Sequence, residues 1–292
     1  MTGESRYRPP PAAGIEHKLT PGEELHTFML FWRLRLDPRK IPALNLPGVP
    51  RRARVSQGQV AMLAGVSVGW YSKLERGEPA NHQPAVLGRV ADALELDRIE
   101  RQFLLDLVQK ARPLRRYPAA RPVGPAIQQM LEQMPWPAWV SGPWWDIVAL
   151  NATAYEWFPH MHRELNVMRW VWCDPSSREQ LIGWHEVWSP RMLAQLRAAK
   201  ARYSDCIQLH ELITEILETN PDALQDWDEK PSLRVHPDGD VRQLWVPGRP
   251  EPMTVELVAL TPMRDEDMRL VCLVPTVKRP PDLGGQVLRR GR

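Results

Sequence analysis

The chain has 292 residues, length enough for about two ordinary domains, and its 43% hydrophobic and 25% charged content is globular, which excludes a disordered chain. No apolar run approaches the ~18–20 residues that span a bilayer, and the opening MTGESRYRPPPAAG lacks the apolar core of a secretory signal, so a cytoplasmic location with no membrane partner is expected. The net charge of +3 is unevenly spread: residues 1–121 hold 20 Lys+Arg against 12 Asp+Glu and the remainder 18 against 23, so a basic part suited to a polyanion is joined to an acidic one.

In chain order, residues 1–19 read as a Pro-rich, mobile arm. Thr20-Pro21-Gly22-Glu23 then opens a helix: Thr20 can cap, Pro21 suits the first turn and Glu23 can reach back. Leu25, Phe28, Met29, Trp32 and Leu36 give it an apolar stripe, and Asp37-Pro38 ends it. A Pro-containing loop over 38–54 closes in Arg51, Arg52 and Arg54. Helices follow from Ser56, from Ser67, over Pro84–Leu94 and over Asp97–Ala111, which makes an all-α domain of about five helices over residues 20–112. The Arg- and Pro-rich residues 113–125 read as a linker.

In the second part, Pro125–Gln133 reads as a helix and PAWVSG and WWDIVALN as short strands. A long helical stretch runs from Ala152 to about Glu218, with interruptions near Pro159, Asp174-Pro175 and Pro190. Strand signals return in SLRVH, VRQLWV, MTVELVAL and MRLVCLV, the first two flanking a Pro237-Asp238-Gly239-Asp240 turn. Helices inserted after a first hairpin make residues 126–276 an α+β domain, and residues 277–292 a basic tail.

The segment SQGQVAMLAGVSVGWYSKLERG, residues 56–77, carries the most chemical information. Ser56 and Gln59 form an S-x-x-Q capping box, Gly65 permits a sharp turn, Ser67 caps the next helix and Gly77 ends it. Ala61 is small enough for two helices to cross, and Tyr71 and Leu74 point inward. Trp70, like Tyr71, reads as core rather than as a base-stacking residue. This stretch resembles the phage-repressor-like (Xre-type) helix-turn-helix family. The resemblance implies that Gln57 anchors a phosphate and that Ser67, Val68, Gly69 and Lys73 face the major groove. Val68 can meet a thymine methyl, and Lys73 a guanine edge or a phosphate. Ser72 can donate to a base or phosphate, and Arg51, Arg52, Arg54 and Arg76 suit phosphate contacts. Double-stranded DNA is the expected partner, read by a homodimer at half-sites a multiple of ~34 Å apart.

Eleven of the 13 tryptophans lie between Trp136 and Trp245, a density that suits a core or the wall of an apolar pocket. With PAWVSGPWWDIVALNATA, WVWCDPSSREQLIGWHEV and LRVHPDGDVRQLWV in series, the chain is similar to Xre-type regulators with an MmyB-like, PAS-like ligand-binding domain. That resemblance covers about residues 20–275. It implies an apolar ligand such as a fatty acid, walled by Trp136, Trp139, Trp145, Phe158, Trp170, Trp172 and Leu257 and fixed at one end by Asn151, Arg169 or Arg197. The alternative is that the tryptophans form an exposed protein-docking surface.

No cofactor is expected beyond such a ligand. Cys173, Cys206 and Cys272 are too few and scattered for a disulfide framework or a zinc set. His160 and His162 share no helical face, and His185-Glu186 lacks the second histidine of a zinc-protease helix. No G-x-S-x-G, phosphate-binding loop or dinucleotide fingerprint occurs, so no enzyme is expected.

Overall fold

A computed structural model describes residues 21–45, 53–78, 82–108, 116–229, 240–263, 265 and 267–276. The arm, Thr20, Arg51, Arg52, the SLRVH strand, residues 237–239 of the turn signal and the basic tail lie outside the described residues.

Helix α1 (Pro21–Arg35) buries Leu25, Phe28, Met29 and Trp32, and two 3-10 turns, Pro38–Lys40 and Pro42–Leu44, lead away from it. Helix α2 (Gln57–Ala64) starts with the expected capping box: Ser56 Oγ accepts from the Gln59 amide at 3.3 Å, and Gln59 Oε1 accepts from the Ser56 amide at 3.0 Å. Gly65, at φ 64°, turns the chain into α3 (Val68–Glu75). Helices α4 (Pro84–Ala93) and α5 (Arg98–Val108) complete the domain. Asp97 caps α5, its Oδ1 accepting from the amides of Ile99 and Glu100 at 2.8 and 2.9 Å. Phe28, Trp32 and Phe103 stack edge-on or tilted at the centre of this core.

Helix α6 (Pro125–Gln133) precedes the strands β1 (Ala138–Ser141) and β2 (Ile147–Leu150). Between β2 and the next strand stand α7 (Ala152–Trp157), α8 (Met161–Glu164), α9 (Val167–Cys173), α10 (Pro175–Gln180), a π-turn at Trp184–Trp188, α11 (Ser189–Arg202), α12 (Ile207–Thr219) and α13 (Pro221–Glu229). Strands β3 (Asp240–Leu244), β4 (Met253–Leu260) and β5 (Arg269–Pro275) close a five-stranded antiparallel sheet in the order β2-β1-β5-β4-β3. Pro190 does not interrupt a helix as expected. It sits in the first turn of α11, where its missing N–H costs nothing.

The pleat sorts side chains between two layers. Trp139, Val271 and Leu273 face the tryptophan-rich helical layer, while Ala138, Val140, Leu270 and Cys272 face α6 through Leu131. The stretch read as linker is not loose beyond Arg116. Tyr117 donates its amide to Gln208 Oε1 at 3.0 Å and its hydroxyl to Asp205 at 2.9 Å, and its ring meets Trp144 edge-on. The two domains touch: α11 packs on α5, Ala201 joins the N-terminal core, and Lys200 pairs with Glu24 at 3.0 Å.

Candidate nucleic-acid interface and aromatic core

Ser67, Val68, Gly69 and Lys73 all lie exposed along one side of α3. Ser67 Oγ is committed to capping, accepting from the Trp70 amide at 3.1 Å, so its hydroxyl proton remains for an outside acceptor. Val68 is 53% exposed, and a Cβ added at Gly69 would meet nothing within 4 Å. An apolar tip on an open, sterically clear helix start is what a groove-inserted element needs. Lys73 and Arg54 are exposed with no ion-pair partner among the described residues. Arg76, by contrast, donates to Glu78 at 2.7 Å and to Ser72 Oγ at 2.7 Å, so it and Ser72 must give up contacts to reach DNA.

What holds this face is a buried ion pair that the sequence reading missed. Arg33 of α1 grips Glu75 of α3 with two hydrogen bonds of 2.8 Å, and its third nitrogen donates to the Val55 carbonyl at 3.0 Å. Gln57 Nε2 adds a 2.9 Å bond to the same carboxylate, which commits part of the side chain expected to anchor a phosphate. Burial pushes the Glu75 carboxyl up, but the hydrogen bonds from Arg33 and Gln57, with the Arg33 charge, outweigh it and hold it below its ordinary value. The signal was present as a charged residue inside an inward-facing run, since Glu75 follows Tyr71 and Leu74. Gly77 adds a second fixed point. It has φ 68°, and its ideal Cβ position lies 1.9 Å from the Gly22 carbonyl oxygen, so the backbones of α1 and α3 meet directly.

In the C-terminal domain the expected pocket walls form a packed core. Trp139 meets Phe158 edge-on at 6.0 Å, Phe158 meets Trp170 at 5.5 Å, and Trp172 meets Trp184 at 4.9 Å. Trp145 is buried at φ 62° with the Arg269 guanidinium 4.6 Å above its ring, and Leu257 packs against the cluster from β4. Trp136 is 42% exposed and stands apart. The expected polar anchors have structural partners. Asn151 caps α7 through the Ala154 amide at 2.8 Å, and its Nδ2 donates to the carbonyls of Met134 and Trp136 at 3.2 and 2.8 Å. Arg169 pairs with Glu215 at 2.8 Å. Arg197 is buried and donates to the carbonyls of Asp226 and Trp227 at 2.9 and 2.6 Å.

Two cavities flank α11, and neither is lined by any of the expected ligand-binding walls or anchors. A small one of about 60 Å³ lies against α12, between His210, Leu217 and Trp227. A larger one of about 940 Å³ opens between α11 and α5. Burial raises all three cysteine thiols, Cys173 to about 11. Among the described residues no group of three His, Cys, Asp or Glu is placed to hold a metal, and no helix is long and apolar enough to cross a membrane.

Comparison with known families finds matches in both parts of the chain. Residues 51–104 match a helix-turn-helix domain family, and residues 123–281 match the MmyB-like transcription regulator ligand binding domain. No curated protein matches the chain. With the second match covering more than half of the sequence, the chain belongs to the family of helix-turn-helix transcription regulators that carry an MmyB-like ligand-binding domain.

Proposed function

We propose that this regulator reads specific DNA as an Xre-type homodimer, and that its C-terminal domain is a PAS-like sensor of an apolar small molecule such as a fatty acid. The observation that carries the DNA reading is the exposed, capped start of α3, where Val68, Gly69 and Lys73 stand clear on a helix fixed from behind by Glu75 and Gly77. Supporting the sensor reading, α7, α8, α9, α11, α12 and α13 share one aromatic-rich core with the sheet of order β2-β1-β5-β4-β3. Trp172 buries its indole N–H with no partner among the described residues, so a ligand acceptor entering there gains a hydrogen bond the core lacks. Of the eleven C-terminal tryptophans only Trp136 and Trp245 are exposed, which favours a sensor core over a docking surface.

The regulatory step is then linkage. A ligand with different affinity for DNA-competent and incompetent arrangements shifts the population between them. The test is selection of a binding sequence from random duplexes, followed by fluorescence anisotropy on selected and scrambled DNA. Discrimination that Lys73→Ala reduces supports the reading, and equal affinity of both proteins for both duplexes refutes it.

A further inference from the structure

Three arginines with no ion-pair partner among the described residues meet in the cleft between the domains. Arg98 comes from the start of α5, Arg202 from the end of α11 and Arg269 from the start of β5, and all three line this space. None forms an ion pair among the described residues. Arg269 is the most constrained: its guanidinium lies on the Trp145 ring, and its Nη1 is buried with no hydrogen-bond partner. A buried guanidinium N–H without an acceptor costs more than a neutral one, so native structures ordinarily supply the acceptor.

The acidic groups near the cleft make hydrogen bonds to other groups and no ion pair with these arginines among the described residues. Asp97 caps α5, Asp106 accepts from Gln102 at 2.9 Å, and Asp267 accepts from the Tyr203 hydroxyl. Burial lowers the Arg269 guanidinium, with Tyr203 and Asp267 pulling the other way, and raises the Asp106 carboxyl against the opposing hydrogen bond from Gln102 and the charge of Arg202. Around the arginines the wall is apolar and aromatic, with Phe103 and Ile99 on one side and Ala198 and Tyr203 on the other. The volume of about 940 Å³ is of small-molecule size.

We infer that this interdomain cleft binds an organic anion with an apolar body, its acidic group held by Arg269 and Arg202. Gln195, on the same wall, offers a further donor. Because one wall is α5 of the DNA-binding domain and the other is α11, such a ligand binds only the docked arrangement of the two domains. Its role as an effector rests on the regulator reading above, whereas the existence of the site does not.

The test uses the full chain and calorimetric titration with 1-naphthoate, uncharged 1-naphthamide and inorganic phosphate. Naphthoate is expected to bind, with the other two weaker by at least about tenfold, the loss expected for a missing charge-assisted contact. Arg202→Gln and Arg269→Gln are each expected to weaken naphthoate by a similar factor, and Gln195→Glu by at least as much. The unliganded Arg269→Gln protein is expected to melt close to wild type, because relief of a buried cation that has no carboxylate partner among the described residues offsets the lost contact with the Trp145 ring. A lower melting temperature with unchanged naphthoate affinity would show that Arg269 only braces Trp145 and would overturn the site. Equal affinity for naphthamide, or insensitivity to Arg202→Gln, overturns it too, and Arg202 is exposed enough that this variant tests the idea even if Arg269→Gln fails to fold. Naphthoate binding that needs both arginines but leaves anisotropy on DNA unchanged upholds the site and removes the effector role.

Discussion

Removing the Glu75 carboxylate tests how the reading helix is held. In Glu75→Ala the Arg33 guanidinium stays in place, with side chains that were 14% and 2% exposed, and loses both of its 2.8 Å carboxylate bonds. Breaking one side of a buried pair costs about 3–5 kcal/mol, against about 0–1 kcal/mol for a surface pair. For a domain of this size the lower figure corresponds to a fall in melting temperature of more than about 12 °C. Hydrogen exchange read on peptides from α1 and α3 isolates this domain from the tryptophan-rich one, and both helices are expected to lose protection together. Replacing both partners, as in Arg33→Met with Glu75→Leu, is expected to recover much of the loss, because no buried charge is then left alone. The acid side supplies an independent check. The folded-state carboxyl is held below its unfolded value, so Glu75 contributes stability above about pH 4.3, and that contribution disappears as pH falls through the lower folded value. The gap between wild type and Glu75→Gln is therefore expected to narrow in acid. A loss below about 1 kcal/mol in Glu75→Ala, or a gap independent of pH, would refute the reasoning.

Lys73→Ala is expected to weaken specific binding by roughly 1–3 kcal/mol if the lysine reads a base, and to weaken selected and random DNA alike if it touches only phosphate; anisotropy on both duplexes separates these. Gly77→Ala must place a methyl at φ 68° against the Gly22 carbonyl, so a loss beyond the ~1–2 kcal/mol of left-handed strain alone is expected in urea denaturation. Asn151→Ala removes the cap of α7 and leaves the Met134 and Trp136 carbonyls short of a donor, at an expected cost of at least about 2 kcal/mol by the same assay. With Cys173 pushed up to about 11 by burial, alkylation by iodoacetamide at pH 8 is expected to be slow until denaturant is added, as followed by mass spectrometry. Leu257→Trp, which enlarges a side chain packed on the aromatic core, is expected to abolish the response to an apolar ligand while sparing DNA affinity; ligand titration with anisotropy decides.

The helix-turn-helix unit was legible because its determinants are local. Ser56, Gln59, Gly65 and Ser67 act within a few residues of their own positions, through capping bonds and backbone handedness, and those rules hold whatever the rest of the chain does. The same holds for α6, whose expected bounds match those observed, and for β1, β2, β4 and β5, where apolar runs lie between turn residues. Pro190 misled because proline breaks a helix interior yet favours a first turn, and α11 carries it there.

What the sequence by itself determined is therefore the helix-turn-helix unit with its exposed face of α3, helix α6 and the strands β1, β2, β4 and β5. Only the tertiary structure decided which polar side chains are already occupied. Gln57 turns to Glu75, Arg197 to two carbonyls and Asn151 to the backbone at the start of β1, because partners 13 to 30 positions away in sequence come within 3.1 Å once the chain folds. It also decided where space remains. Tryptophan density marked a core, but whether that core is filled or hollow depends on how rings from β1, α7 and α9 interlock. An opening of about 940 Å³ lies between α5 and α11, where two domains with separate cores meet at surfaces that no local pattern describes.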